Sequence, residues 1–321
     1  MRRLLWAIVL FLALTFVTYI IFFVIPSDAV RIVKGKSASS IDYRETANLH
    51  GTVFEQYGDF LYRLVTGGAL GHSFFSERSV NSIVLDALPV TLSLVIGGAI
   101  MWMLIALPIG ILSALRPRSF VDKAGMTFVL VGISAHPLWI GLILSYVFGY
   151  QLDLLPLTGY CDLINPSTSC GGAVEWAYHM LLPWLTFALL FAAFYARMIR
   201  ANVIEAMNED FVRTARAKGA SEWGVVRTHV LRNALLPIIA MLGADVGMLA
   251  LGLIGQSLFV ETVYSLPGLG KTLVSALQRH DLPIIEGVVV FVTITVVVAN
   301  LLADLVYALL DPRIKLRGAP I

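Results

Sequence analysis

The residue types that could carry chemistry in this chain are few and scattered. The run Gly268-Leu269-Gly270-Lys271-Thr272 holds the glycines, lysine and hydroxyl of a phosphate-cradling loop. Such a loop needs a further glycine ahead of it, and Leu266 and Ser265 occupy that ground. Asp245 stands inside an apolar run, where an acid is costly and faces a cavity or a partner group. Two readings of it stand side by side: a contact for a cationic group, or a structural hydrogen bond to a neighbouring helix. His136 precedes Pro137 inside another apolar run and reads first as a polar residue satisfied in a kink. Cys161 and Cys170 are the only cysteines; they form a bridge if their side of the membrane is oxidising, and are free thiols otherwise. Only His179 lies near them, too few ligands for a metal site, so no metal is expected. No nucleophile–base pair or cofactor loop is visible, so this chain is not expected to be catalytic.

These residues must be placed by elements that live in lipid. Of 321 residues, 58% are hydrophobic and 14% charged, where a soluble protein carries about a quarter charged. A span needs roughly 20 apolar residues. Six runs qualify: about Leu4–Ile25, Val90–Leu112, Ala124–Gly149, Tyr178–Ala196, Leu235–Leu258 and Ile284–Leu310. The first is too long for a secretory signal and no small-x-small site follows it before Pro26, so it reads as a retained anchor. Pro89 and Pro108 bracket the second run, and Pro183 lies in the fourth. In the fifth, Gly243 and Gly247 make a small-residue face for close helix packing, with Asp245 turned away from it.

Positive charge sets the orientation. Arg2 and Arg3 precede the first run; Arg116, Arg118 and Lys123 separate the second and third. Arg197, Arg200, Arg213, Arg216, Lys218, Arg227 and Arg232 separate the fourth and fifth, and Arg313, Lys315 and Arg317 follow the sixth. An even number of spans puts all four groups, and both termini, in the cytoplasm. The Gly268–Thr272 run is then external, where ATP is scarce, which is a second reason to reject it as an ATP site.

The loop 197–234 is a polar, basic helix–turn–helix set between two spans. Val203, Met207, Phe211 and Ala215 recur every four residues as one helical stripe. Gly219 permits the left-handed residue that ends a helix. Ser221 is a candidate N-cap, Glu222 suits the positive first turn, and Trp223, Val226 and Val230 give the second helix an apolar face. A DNA-binding role is poorly served by a helix pinned to the bilayer at both ends. A merely solvated loop leaves the two apolar faces unexplained.

This segment resembles the cytoplasmic coupling loop of ABC importer permeases, whose pattern is Glu-Ala-Ala, three residues, Gly, nine residues, then Ile-x-Leu-Pro. Arg213, Thr214, Ala215, Gly219, His229, Leu231 and Arg232 fall on those positions. Ala215, Gly219 and Leu231 match; the other four depart, and a proline follows late, at Pro237. The form of the loop is similar to that of the dipeptide, oligopeptide and nickel branch. A second stretch resembles a hallmark of that branch, through Glu261, Pro267, Gly268, Leu269, Gly270, Asp281 and Pro283, with His280 where an arginine is usual. It reads as a turn element shaping the outer gate.

The resemblance implies an all-α, six-span permease of the type I importer fold, in the cell membrane. The division expected is an anchor, 1–26; an extracytoplasmic segment, 27–82; a core of five spans, 83–310; and a cytoplasmic tail, 311–321. The implied partners are a second, similar permease subunit, two cytoplasmic ATPase subunits that bind ATP and Mg, and an extracytoplasmic solute-binding protein. Arg213, Thr214, Ala215, Gly219, Ala220, Ser221, Glu222 and Trp223 would form the ATPase-coupling surface, and Asp245 and His136 would line the path. The implied cargo is a di- or oligopeptide; the scattered His50, His72 and His280 give nickel no support. A gradient-driven transporter is the alternative class, but no internal repeat or proton relay is visible.

Overall fold

The computed structural model describes parts of 9–20, residues 52–66, most of 71–163, 170–235, 237–238, 255–279 and 281–310. Most of the first and fifth expected spans, Asp245 with Gly243 and Gly247, His280, and the tail 311–321 lie outside these residues.

Among the described residues the chain is helical, with two isolated bridges, His72–Ser79 and Asp162–Gly171, as its only extended pairings. In chain order the helices with both ends among the described residues are α1 (Val53–Val65), α2 (Val80–Leu115), α3 (Phe120–Ser134), α4 (Pro137–Leu144), α5 (Ala173–Met207), α6 (Asp210–Ala217), α7 (Glu222–Val225), α8 (Leu269–Arg279) and α9 (Leu282–Leu310); residues 231–235 and 255–263 are helical too. Wider π-helical turns extend α4 over Ser145–Gln151 and α7 over Val226–Val230. Among the described residues three helices are long and apolar enough to cross a membrane, and α3 with the α4 segment makes a fourth, broken candidate. At about 1.5 Å per residue, the 36 residues of α2 and 35 of α5 reach about 50 Å. A hydrocarbon core is about 30 Å thick, so both helices project beyond it. Pro89 and Pro108 therefore lie inside α2 rather than at its ends.

The third apolar run is the clearest departure from a simple span. It bends by 112° between α3 and the α4 segment. Ala135 (φ −87°, ψ 128°) and His136 (φ −71°, ψ 138°) are both extended, as sterics favour before proline. Pro137 begins α4, where its missing N–H costs nothing. The His136 side chain caps the new helix: its Nδ1 accepts the Leu138 N–H at 3.3 Å.

The chain packs as two compact units. The first comprises Met1–Thr91 with Pro267–Leu301. Its core joins Val80, Val84 and Ala87 of α2 to Leu269 of α8 and Val288 of α9. Ala276, Leu282 and Ile285 close the α8–α9 corner.

The second unit comprises Leu92–Leu266 with Leu302–Ile321. Here α2 and α5 approach through glycines. A Cβ on Gly98 would stand 2.4 Å from the Phe187 ring, and one on Gly110 would stand 2.8 Å from the Ala196 carbonyl oxygen. Trp102 fills the same seam, with ring centroids 4.8 Å from Phe191 and 6.0 Å from Tyr195. Trp184 Nε1 donates to the Ser93 carbonyl (2.9 Å) and Trp176 Nε1 to Ser93 Oγ (3.0 Å).

The seam generates a test. At Gly110 the obstructing atoms include the Ala196 carbonyl oxygen and the Ile199 Cβ, neither of which can rotate away. Gly110→Ala is expected to cost about 1–3 kcal/mol, read as a lower melting temperature in detergent. Gly58→Ala in α1, where an added Cβ meets nothing within 4 Å, should hold or raise it.

Candidate functional site

The loop 197–234 is built from short helices whose ends are set by local chemistry. α5 stops at Met207 with Asn208 as its C-cap, and α6 starts after the extended Glu209. The stripe expected to run unbroken from Val203 to Ala215 is therefore cut at Asn208–Glu209. Its phase shifts across the break: Val203, Val212 and Ala215 are buried, whereas Phe211 is exposed. Gly219 takes φ +80°, donating to the Arg216 carbonyl (2.9 Å) while Ala220 N–H reaches back to Ala215 (3.2 Å). These bonds satisfy carbonyls that the end of α6 would leave open. Ser221 caps α7 by accepting the Gly224 N–H (3.2 Å). Glu222 sits in the first turn and takes both arms of the Arg216 guanidinium, at 2.8 and 3.1 Å. Asp210 lies 3.5 Å from Arg213, an exposed pair of small worth.

The second helix buries Val225, Val226 and Val230, while Trp223 is 66% exposed. The sequence grouped Trp223 with Val226 and Val230 on one apolar face; in the structure Val225 is buried with those two valines and Trp223 stands apart from them, exposed. Ala215 and the three valines hold the turn together. Arg213, Thr214, Gly219, Ala220, Ser221, Glu222 and Trp223 form an exposed polar ridge with one large aromatic on it. An indole left in water on a polar ridge is the kind of group that anchors interfaces.

The ridge stands on a brace that sequence reasoning missed. Arg200, near the end of α5, grips Asp122 of α3 with both arms: Nε–Oδ1 2.7 Å and Nη2–Oδ2 2.9 Å. Asp122 Oδ2 also accepts the Arg118 N–H at 2.8 Å, and Asp122 N–H donates to the Ser119 cap. The Asp122 side chain is 7% exposed and that of Arg200 27%. The legible signal was Ser119-x-x-Asp122, an N-cap pattern; nothing in the spacing linked it to Arg200.

The expected outer-gate motif is largely structural in its contacts. In the second unit Glu261 is fully buried and its carbonyl accepts the Leu266 N–H. Tyr264 OH lies 2.8 Å from Thr186 Oγ1 and donates to the Gly141 carbonyl at 3.1 Å, tying α5 to α4. In the first unit Gly268, Gly270 and Pro283 are buried, and Pro267 is exposed. Leu269 N–H donates to Thr91 Oγ1 (2.8 Å) and Thr272 N–H to the Gly268 carbonyl (3.0 Å). Asp281 accepts the Ser73 hydroxyl at 2.5 Å, and Ser73 Oγ accepts the N–H groups of Phe75 and Ser76. The motif's aspartate thus anchors the 71–79 turn at the start of α9.

Cys161 and Cys170 are joined as a disulfide, with Cα atoms 5.3 Å apart. His179 Nδ1 lies 3.1 Å from Cys161 Sγ and 3.0 Å from the Glu175 carbonyl. The three side chains have the ligand types for a metal ion, but sulfurs bonded to each other offer it no thiolate. His136 is occupied by its capping bond and an edge-on contact with Phe259, centroids 4.9 Å apart.

Comparison with known proteins matches this sequence to one family. Its inner-membrane component, described as that of binding-protein-dependent transport systems, matches residues 106–316, and the N-terminal segment of the same membrane component matches residues 1–95. The chain belongs to this permease family. Its relatives include the oligopeptide transport system permease protein AppB of Bacillus subtilis, 34% identical over 98% of both chains. The di/tripeptide transport system permease protein DppB of Pseudomonas aeruginosa is 33% identical over 98% of this chain and 97% of its own. The dipeptide transport system permease protein DppB of Alkalihalophilus pseudofirmus is 31% identical over 98% of both. The permease is a transport component of the inner membrane rather than an enzyme.

The brace beneath the ridge can be tested without transport. Arg200→Ala leaves the Asp122 carboxylate short of its main partner and should destabilise the permease by roughly 1–3 kcal/mol. The combined Asp122→Asn and Arg200→Gln substitution should recover most of the loss. Thermal unfolding in detergent at low and high salt reads both, and the Arg200→Ala loss should change little with salt.

Proposed function

We propose that this chain is one permease subunit of an ATP-driven importer that carries di- or oligopeptides across the cell membrane by alternating access. The observation that carries this reading is likeness over nearly the whole chain to permeases named for oligopeptide, dipeptide and di/tripeptide transport. Six spans with both termini in the cytoplasm suit the charge pattern, and the division into anchor, extracytoplasmic segment, five-span core and tail follows from them. The 197–234 loop then faces the cytoplasm, where the ridge around Trp223 seats in a groove of an ATPase subunit. ATP and Mg bind to the two ATPase subunits, and this chain holds no cofactor of its own. A second permease subunit completes the path, and an extracytoplasmic binding protein delivers the peptide.

In this mechanism the permease passes force and does no covalent chemistry. Closure of the ATPases moves α7; the Arg216–Glu222 pair and the Gly219 turn carry α6 with it. α5 and the Arg200–Asp122 brace take the displacement into the spans. The equilibrium between inward- and outward-open forms then follows the difference in ATPase affinity for the two. Asp245 and His136 remain the proposed path-lining residues, Asp245 as a contact for the peptide's cationic end.

The test is retention of an ATPase by the tagged complex in mild detergent, with peptide uptake measured in parallel. Trp223→Ala should weaken retention by about 30-fold, as loss of an interface anchor of about 2 kcal/mol does. Gly219→Val forces a β-branched side chain into a left-handed residue, costing roughly 1–2 kcal/mol, and should uncouple uptake. Normal ATPase retention and uptake in both variants would sink the coupling role and favour a gradient-driven transporter.

A further inference from the structure

The helix α1 lies in the segment that the charge pattern assigns to the aqueous far side of the membrane, yet its contacts are with membrane-spanning residues. Tyr57 OH lies 2.8 Å from Thr15 Oγ1 and donates to the Leu12 carbonyl at 3.0 Å. Phe16 stacks on Phe54 at 5.7 Å and meets Tyr57 edge-on at 5.0 Å; Tyr19 lies 5.9 Å from Tyr57. Tyr57, Leu61 and Leu64 pack against buried Tyr19 and Val290. Leu12 to Tyr19 are inside the first apolar run. Val290 is eight residues into α9, whose apolar stretch begins at Leu282, so it lies about 12 Å along that helix. Tyr19, six residues from the outer end of the first run, lies about 9 Å in, so two independent helices meet the packed face of α1 about 10 Å below the surface of a hydrocarbon core about 30 Å thick, and the Tyr57 hydroxyl reaches deeper, to Leu12.

At about 100° per residue the side chains of α1 sort into three sectors. Val53, Tyr57, Leu61 and Leu64 make the packed face. Phe54, Gly58 and Tyr62 make the flank beside it, with Phe54 75% and Tyr62 71% exposed. Glu55, Asp59 and Thr66 make an exposed ridge beyond that flank. Glu55 is held in a capping box, accepting the Thr52 N–H at 2.7 Å. A carboxylate ridge cannot face acyl chains, and a phenylalanine flank gains nothing from water. One orientation satisfies both: the helix lies along the interface with the aromatic flank turned into the leaflet and the acids turned toward the headgroups. The first span continues the same apolar surface, with Val17 53% and Leu12 39% exposed.

We infer that α1 is an interfacial membrane helix, and that its Phe54–Gly58–Tyr62 flank binds the lipid of the leaflet on the far side from the N-terminus. The partner is acyl chain rather than a protein surface. The helix ties the outer halves of the first span and α9 to the bilayer surface, so motion of either must move through lipid.

The test uses the assembled complex in lipid nanodiscs. Nitroxide labels are placed at Phe54→Cys, Tyr62→Cys and Asp59→Cys in a Cys161→Ser, Cys170→Ser background that retains uptake. Collisions with oxygen, which concentrates in lipid, are compared with those with chromium oxalate, which stays in water. Oxygen should dominate at 54 and 62, and the ratio should reverse at 59. Dominance of chromium oxalate at all three positions overturns the inference, since α1 would then stand in water. Protection of 54 and 62 from both reagents also overturns it, since another protein surface would cover the flank. A second measurement needs no substitution: a phospholipid with a diazirine midway along one acyl chain should cross-link the wild-type chain within 53–65. Absence of that adduct while the spans are labelled would count against lipid contact.

Discussion

Hydrocarbon supplies no hydrogen bonds, and most of this structure follows from that. Every backbone amide at membrane depth must find a partner within the protein. Long helices meet the demand along most of the chain. Among the described residues an exception is the break at Ala135 and His136, and there the substitutes are specific: an imidazole caps the restarting helix, and Pro137 has no amide to satisfy. A tyrosine from a distant segment then takes a carbonyl of the restarted helix, Gly141. The break is a built corner.

The same constraint explains why the glycines of α2 matter more than its leucines. In lipid, leucine against leucine gains little over leucine against acyl chain, so helices are held by close approach and by polar contacts. Gly98 and Gly110 admit α5 to distances that any side chain would forbid. The tryptophans of the seam then bond Ser93 across it. Beyond the apolar zone a different logic takes over, and the bidentate Arg200–Asp122 pair does with charge what the glycines do with shape.

Much of the loop was legible before any coordinates, because its signals are local. Gly219 at a left-handed turn, Ser221 as a cap and Glu222 in the first turn each depend on neighbours within a few residues, and each stands as read. The disulfide was legible as one of two options by elimination. What the sequence did not carry was phase and distance. Asn208 breaks the stripe that ran from Val203, so Val212 replaces Phe211 inside; in the second helix Val225, not Trp223, lies with Val226 and Val230. Proline at 137 announced a kink but not a turn of 112°. Asp122 and Arg200 are 78 residues apart, a pairing no periodicity encodes. The segment 27–82 read simply as extracytoplasmic; its helix α1 meets the first apolar run through Tyr57, which composition alone does not single out.

The π-helical turn at Val226–Val230 has a consequence for how the ridge is aimed. It inserts one residue beyond the α-helical count between the exposed Trp223 and the helix that leads on from Leu231. One residue is worth about 100° of rotation about the axis. The direction in which the ridge points is therefore indexed, like a gear tooth, to a single residue of slack in the chain. Closing that slack would leave every local contact of Gly219 and Ser221 intact and still face the tryptophan the wrong way.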